Sequence, residues 1–253
     1  MSNVFQKLKS DGLEESTDRL GGGGVRESDI YTGKIKYAYA GTSSGGAMSL
    51  NLCVDFGGQE YRETVWVTNK KGENFFLNKQ DNSKKVPLPG FTVAEDICLI
   101  VTGKGLAEQE MEEKVLKLWD FDASAEVPKS VPVLVELTGQ EISLGLIKQI
   151  ENKQKKNDNT GEYEPTEEER ESNFTDKVFH TETKMTVAEA RNGQETGEFW
   201  DKWITKNKGR LNDKRKFKDG GAGKSGKPAG APKAAGAPAA SAAPKKSLFA
   251  NKA

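Results

Sequence analysis

The stretch Met48-Ser49-Leu50-Asn51-Leu52-Cys53-Val54-Asp55-Phe56 decides the fold, because Met48, Leu50, Leu52, Val54 and Phe56 alternate with Ser49, Asn51, Cys53 and Asp55. Successive side chains of a strand point to opposite faces, so the pattern predicts a strand with one buried and one solvated face. Working outward, Gly57-Gly58 predicts a tight turn into a strand over 61–68. There Tyr61, Val65 and Val67 share one face, and Arg62, Thr64, Trp66 and Thr68 share the other. In the other direction a glycine- and serine-rich turn, 41–46, leads back to a strand over 30–40. Three antiparallel strands therefore follow one another directly.

Beyond them, a lysine-rich hairpin at 69–72 precedes Phe75, Phe76 and Leu77, and 79–85 is a solvated excursion punctuated by Pro87 and Pro89. Thr92 predicts the cap of a helical turn running to Val101, with Glu95 at the third helical position of a capping box. The segment 107–118 opens with glutamates and ends strand-like; strands are also expected over 131–137 and 142–150, joined by a turn at 138–141. Many short strands with one helix before the last pair match a small barrel. The expected fold is mainly β: an OB-fold-like five-stranded barrel with short helical additions and a disordered C-terminal tail.

Four segments are expected. Residues 1–24 form a flexible arm, with Val4, Phe5 and Leu8 ahead of a four-glycine hinge at 21–24. Residues 25–155 form the core. Residues 156–207 hold an acidic loop (162–171), an edge strand near 177–180 and two short helices, 186–191 and 198–207, the second with Phe199, Trp200, Trp203 and Ile204 on one face. Residues 208–253 are a basic Gly/Ala/Pro tail too poor in apolar surface to fold.

The formal net charge is zero, yet residues from Asp201 onward carry 14 Lys+Arg against 3 Asp+Glu, leaving 24 basic and 35 acidic groups in the first 200. A tail of this kind meets a polyanion or folds back on its own acidic body, and both readings stand. Cys53 and Cys98 are isolated in apolar runs, which suits free thiols in a reducing compartment. With one histidine, His180, they cannot supply a structural zinc site, and no metal or other cofactor is expected. The N-terminus lacks an apolar run of signal-peptide length and no segment approaches the roughly 20 apolar residues of a membrane span, so a soluble cytoplasmic protein without a membrane partner is expected.

Enzymatic constellations fail. Gly223-Lys224-Ser225 ends like a phosphate-binding loop but has Lys218 where the first glycine belongs, and Gly103-Lys104-Gly105 has Glu108 where a dinucleotide fingerprint needs a third. His180 has no nucleophile near it in sequence and reads as structural. The chain is not expected to be an enzyme.

A nucleic-acid strand needs cations along its phosphates and flat side chains under its bases. On a regular first strand Lys34 and Lys36 face opposite to Tyr37 and Tyr39, so a tyrosine such as Tyr37 reaches a groove only through a bulge or the strand end; otherwise it packs in the core. Arg62 and Trp66 share an outward face, where Trp66 either stacks on a base or packs beneath the 75–91 loop. Lys70, Lys71, Lys79, Lys84 and Lys85 lie in neighbouring hairpins, where an OB barrel holds its gripping loops. Of the adjacent Phe75 and Phe76 a strand buries one and exposes the other. The expected DNA-binding set is Lys34, Lys36, Tyr37, Arg62, Trp66, Lys70, Lys71, Phe75, Lys84 and Lys85.

The segments Val67-Thr68-Asn69-Lys70-Lys71-Gly72, Leu88-Pro89-Gly90-Phe91 and Val178-Phe179-His180-Thr181-Glu182-Thr183, with the Gly/Ala/Pro tail ending in Ser247-Leu248-Phe249, resemble the single-stranded DNA-binding proteins of tailed bacteriophages. The resemblance implies an OB core that coats single strands in replication, recombination and repair in the host cytoplasm, and a disordered tail for partner proteins. Many such tails end in acidic residues, whereas this tip is basic. Lys245, Lys246, Leu248 and Phe249, with Lys252, are the expected contact with a replication, recombination or transcription protein. Self-association through the N-terminal arm is a further expectation. The alternative is a phage transcription cofactor or adaptor acting through the same tail.

Overall fold

Leu50, Leu52 and Val54 lie in the core, and a meander is built around them. The computed structural model describes residues 24–120, 123–157 and 163–216. In it β1 (Asp29–Thr42), β2 (Met48–Asp55) and β3 (Glu60–Trp66) pair antiparallel in sequence order. A separate small hairpin, β4 (Phe75–Leu77) with β5 (Lys85–Pro87), leads into the helix α1 (Pro89–Thr102). The hairpin of β6 (Met111–Asp120) and β7 (Ala125–Leu134) joins β1 where Tyr39 meets Val133. The long hairpin of β8 (Glu141–Lys156) and β9 (Tyr163–Phe179) joins the first half of β1 through β8. Helices α2 (Val187–Arg191) and α3 (Phe199–Asn207) follow, then β10 (Leu211–Asp213), parallel to β8. The protein is thus mainly β. Among the described residues no helix is long and apolar enough to cross a membrane.

The order β9-β8-β1-β2-β3 curls around one core, into which α1 inserts Ala94, Ile97, Cys98 and Ile100. Gly90, in the first turn of α1, has no Cβ because one would stand 2.2 Å from the carbonyl oxygen of Trp66; glycine lets the helix sit against β3. A second cluster forms around Phe179, where α3 buries Trp203 against Ile147 and its indole N–H donates to Asp176 at 2.7 Å. A Cβ on Gly145 would come within 2.9 Å of that indole.

The expected five-stranded barrel does not close. No backbone ladder joins β3 to β9; instead the Glu63 carboxylate reaches from β3 and accepts from the Thr175 amide at 3.2 Å and the Thr175 hydroxyl at 2.6 Å. The Tyr61 hydroxyl donates to the same carboxylate at 2.8 Å. Trp66, Pro87, Val93, Asp96, Thr175 and Lys177 line the gap.

Three local expectations are corrected. The acidic loop expected over 162–171 is, from Tyr163 onward, part of β9. Glu168, Arg170 and Glu171 are paired across the hairpin with Lys153, Glu151 and Lys148, so cross-strand charge carries the ladder where both faces are wet. The helix begins at Pro89, not after Thr92, because proline presets the backbone of a first turn; Glu95 accepts from the Leu106 amide instead of closing a capping box. The strand expected over 131–137 ends at Leu134 and finishes as a 3-10 turn, Val135–Leu137. The two short helices stand as expected, the first capped by Thr186 and Glu189. Residues 1–23 of the N-terminal arm and 217–253 of the tail, with Lys245, Lys246, Leu248 and Phe249, lie outside the described residues. The first residues of the tail, expected not to fold, instead form β10 against β8, and Arg215 pairs with Glu169 of β9 at 2.7 Å.

Glu63→Ala leaves the Thr175 amide without its acceptor at the seam. It should cost about 2 kcal/mol and speed hydrogen exchange at Thr175 more than at Leu52 in β2. Uniform acceleration would show that the seam is not a local latch. Asp96 is also informative: burial pushes its carboxyl up to about 6, against the pull of Lys177 and Arg191. A raised folded-state value means that the favourable contribution of the protonated form is fully present below about pH 4 and lost as pH rises through 6. Asp96→Asn should therefore stabilise the fold at pH 8, by about 2–3 kcal/mol, and change little at pH 4, as thermal melts across that range would read.

Candidate nucleic-acid interface

One extra residue in β1 sets the geometry. Ile35 opposes Val54 and Tyr37 opposes Cys53, so Lys36 is a bulge with no counterpart on β2. After it the alternation is offset: Ile35 and Ala38 both enter the core, while Tyr37 and Tyr39 turn to the outer face. Three rows then cross the meander on that face, Tyr37-Cys53-Arg62, Tyr39-Asn51-Thr64 and Gly41-Ser49-Trp66. The two tyrosine rings lie 6.1 Å apart. The β6–β7 hairpin raises a wall beside them, and Leu118 and Trp119 complete a groove with Tyr37, Tyr39, Arg62 and Thr64.

Two cations of this face, Arg62 and Lys36, are already held. Arg62 donates to Glu60 through Nη2 at 2.7 Å and Nε at 3.1 Å, and to Glu126 of β7 at 3.3 Å. Lys36 pairs with the same Glu60, whose carboxyl is held below its ordinary value by hydrogen bonds first from Lys36 and then from Arg62. Burial, helped by the neighbouring Cys53, raises the Tyr37 hydroxyl, and burial raises that of Tyr39 against the opposing charge of Lys129; both stay protonated at neutral pH. Burial likewise pushes up the Cys53 thiol, so it is not an activated nucleophile. What the surface offers is flat rings, hydroxyl donors and cations whose carboxylate partners can be exchanged.

Of the residues expected from sequence, Lys34, Lys36, Tyr37, Arg62 and Trp66 share this outer face, with Trp66 at its far corner. The tyrosines do not face away from the lysines, because the strand is not regular. Trp66 is 48% exposed beside Pro87 and Pro89, so it is no core residue. The loop residues lie elsewhere. Lys70 packs along Gly45, Lys71 is exposed in the same turn, and Lys84 pairs with Asp81 at 3.2 Å. Lys85 sits 4.2 Å above the ring of half-buried Phe75, and Phe76 is the exposed one of the pair. His180 accepts from the Thr183 amide at 3.2 Å and shapes a turn.

Sequence reading passed over Tyr39, Asn51, Thr64 and Trp119 as members of the site. The trace of the tyrosine lies in the structure: Ile35 and Ala38, three apart, are both fully buried, which they can be only because a residue between them is extra. Nothing comparable marks Trp119, which reaches the groove through the hairpin's single bridge to β1. Comparison of the chain with protein-family models, with curated proteins and with solved structures finds no match.

Proposed function

We propose that this chain binds single-stranded DNA without sequence preference, as a non-enzymatic protein of phage replication, recombination and repair. The observation that carries this reading is the bulge at Lys36, which gathers Tyr37 and Tyr39 with Lys36 and Arg62 on one open face beside Trp119. Aromatic rings stack on any base, and cations along the groove follow the phosphates; a duplex keeps its bases stacked on each other and cannot use the rings. The same reading takes the order β9-β8-β1-β2-β3 as an OB-type barrel left ajar at the β3–β9 seam, with its ligand face on the meander. The resemblance of the 67–72, 88–91 and 178–183 segments to phage single-strand-binding proteins agrees with it.

Tyr39→Ala and Trp119→Ala should each weaken binding of a labelled single-stranded oligonucleotide by about 1–3 kcal/mol, with circular dichroism unchanged. Fluorescence anisotropy across a salt series reads this; no single-strand binding at low salt, or equal affinity for a duplex, overturns the proposal. Glu126→Gln frees Arg62 from a competing carboxylate and should tighten binding about two- to fivefold. Weaker binding by that variant would mean that Glu126 positions Arg62 for its ligand.

A further inference from the structure

β6 lies at the outer end of its hairpin, and among the described residues no strand pairs with its free edge. Such an edge presents unpaired amides and carbonyls, and proteins usually blunt it with prolines, bulges or like charge. The edges of β7 and β9 are blunted. β7 contains Pro128 and Pro132, and β9 carries Glu164, Glu167, Glu168, Glu169 and Glu171. β6 has neither proline nor bulge and keeps unbroken register with β7 over ten residues. It also displays an apolar trio on one face, Met111, Val115 and Trp119, with Val115 69% exposed.

We propose that β6 is a self-association edge, pairing antiparallel with β6 of a second copy about a two-fold axis through Val115. In that register Val115 meets its own twin, Glu113 meets the partner subunit's Lys117 and the reverse, and Met111 meets the partner subunit's Trp119. Every residue of the outward face thus finds a matching neighbour. Moving the axis to Lys114 or Leu116 sets Val115 against Glu113 or Lys117 and forfeits both the ion pairs and the apolar matches. The occupant is therefore a copy of this chain, selected by the charge order Glu113-Lys114-Val115-Leu116-Lys117. The interface is small and the dimer correspondingly weak. It shares Trp119 with the groove, and its test therefore reads the chain without nucleic acid.

The test is cysteine cross-linking in the full chain. Cysteines facing one another across an antiparallel pair lie within disulfide reach, and the native Cys53 and Cys98 are buried. Val115→Cys should give disulfide-linked dimer under mild oxidation several-fold faster than Tyr163→Cys, a control at a comparably exposed position. Adding Lys117→Glu should slow it by opposing like charges, and adding Glu113→Lys to that variant should restore it. Circular dichroism checks that each variant is folded, and Glu113→Lys alone serves as the single reversal if Lys117→Glu disturbs the sheet. Equal rates for the two cysteine positions, or charge reversal without effect or without rescue, overturn the proposal.

Discussion

β1 must satisfy different partners along its two edges. β2 accompanies it from Lys34 to Thr42, while the other edge is shared between β8, from Asp29 to Lys34, and β7, at Tyr39. The bulge lies where that second edge changes hands, and the turn before β8 is tied to the same spot, with Gln140 accepting from the Ile35 amide and Ile35 accepting from Gly139. A bulge adds twist and re-aims side chains. It lets one strand serve two hairpins, and by the same displacement it turns Tyr37 and Tyr39 out of the core. Fold and surface chemistry thus share one cause.

The opposite side of the sheet is held differently. A ladder between β3 and β9 would make the closure cooperative over several residues; a carboxylate gripping one amide and one hydroxyl concentrates it at Glu63 and Thr175. α1 bears on both strands beside the gap, with Val93 and Asp96 among its lining. Glu63 stands between Arg62 and Thr64 on β3 and itself borders the tyrosine groove, so the seam and the groove share a strand and a residue.

The central meander was legible because its alternation is strict and half-buried: Leu50, Leu52 and Val54 admit one register. α2 and α3 were legible for a related reason, since a Thr-x-x-Glu cap and an aromatic face are local signals. The β8–β9 hairpin beyond Ile150 was not, because its pairs are charged on both faces and apolar periodicity has nothing to report. The site was half legible. Arg62 and Trp66 follow from alternation, but Tyr39 needed the bulge and Trp119 needed a hairpin to travel across the molecule, and a bridge such as Tyr39 to Val133 leaves no mark in either segment.

The pairing of Arg62 with Glu60 and Glu126, and of Lys36 with Glu60, alters how this face would respond to its surroundings. A bare cation that meets a phosphate releases condensed counterions, and its contribution is read directly in the dependence on ionic strength. On the proposed reading a phosphate would replace a carboxylate, and the carboxylate set free would gather cations of its own. Part of the ion release would thereby be cancelled, and the number of basic groups inferred from a salt titration would fall below the number that touch the strand.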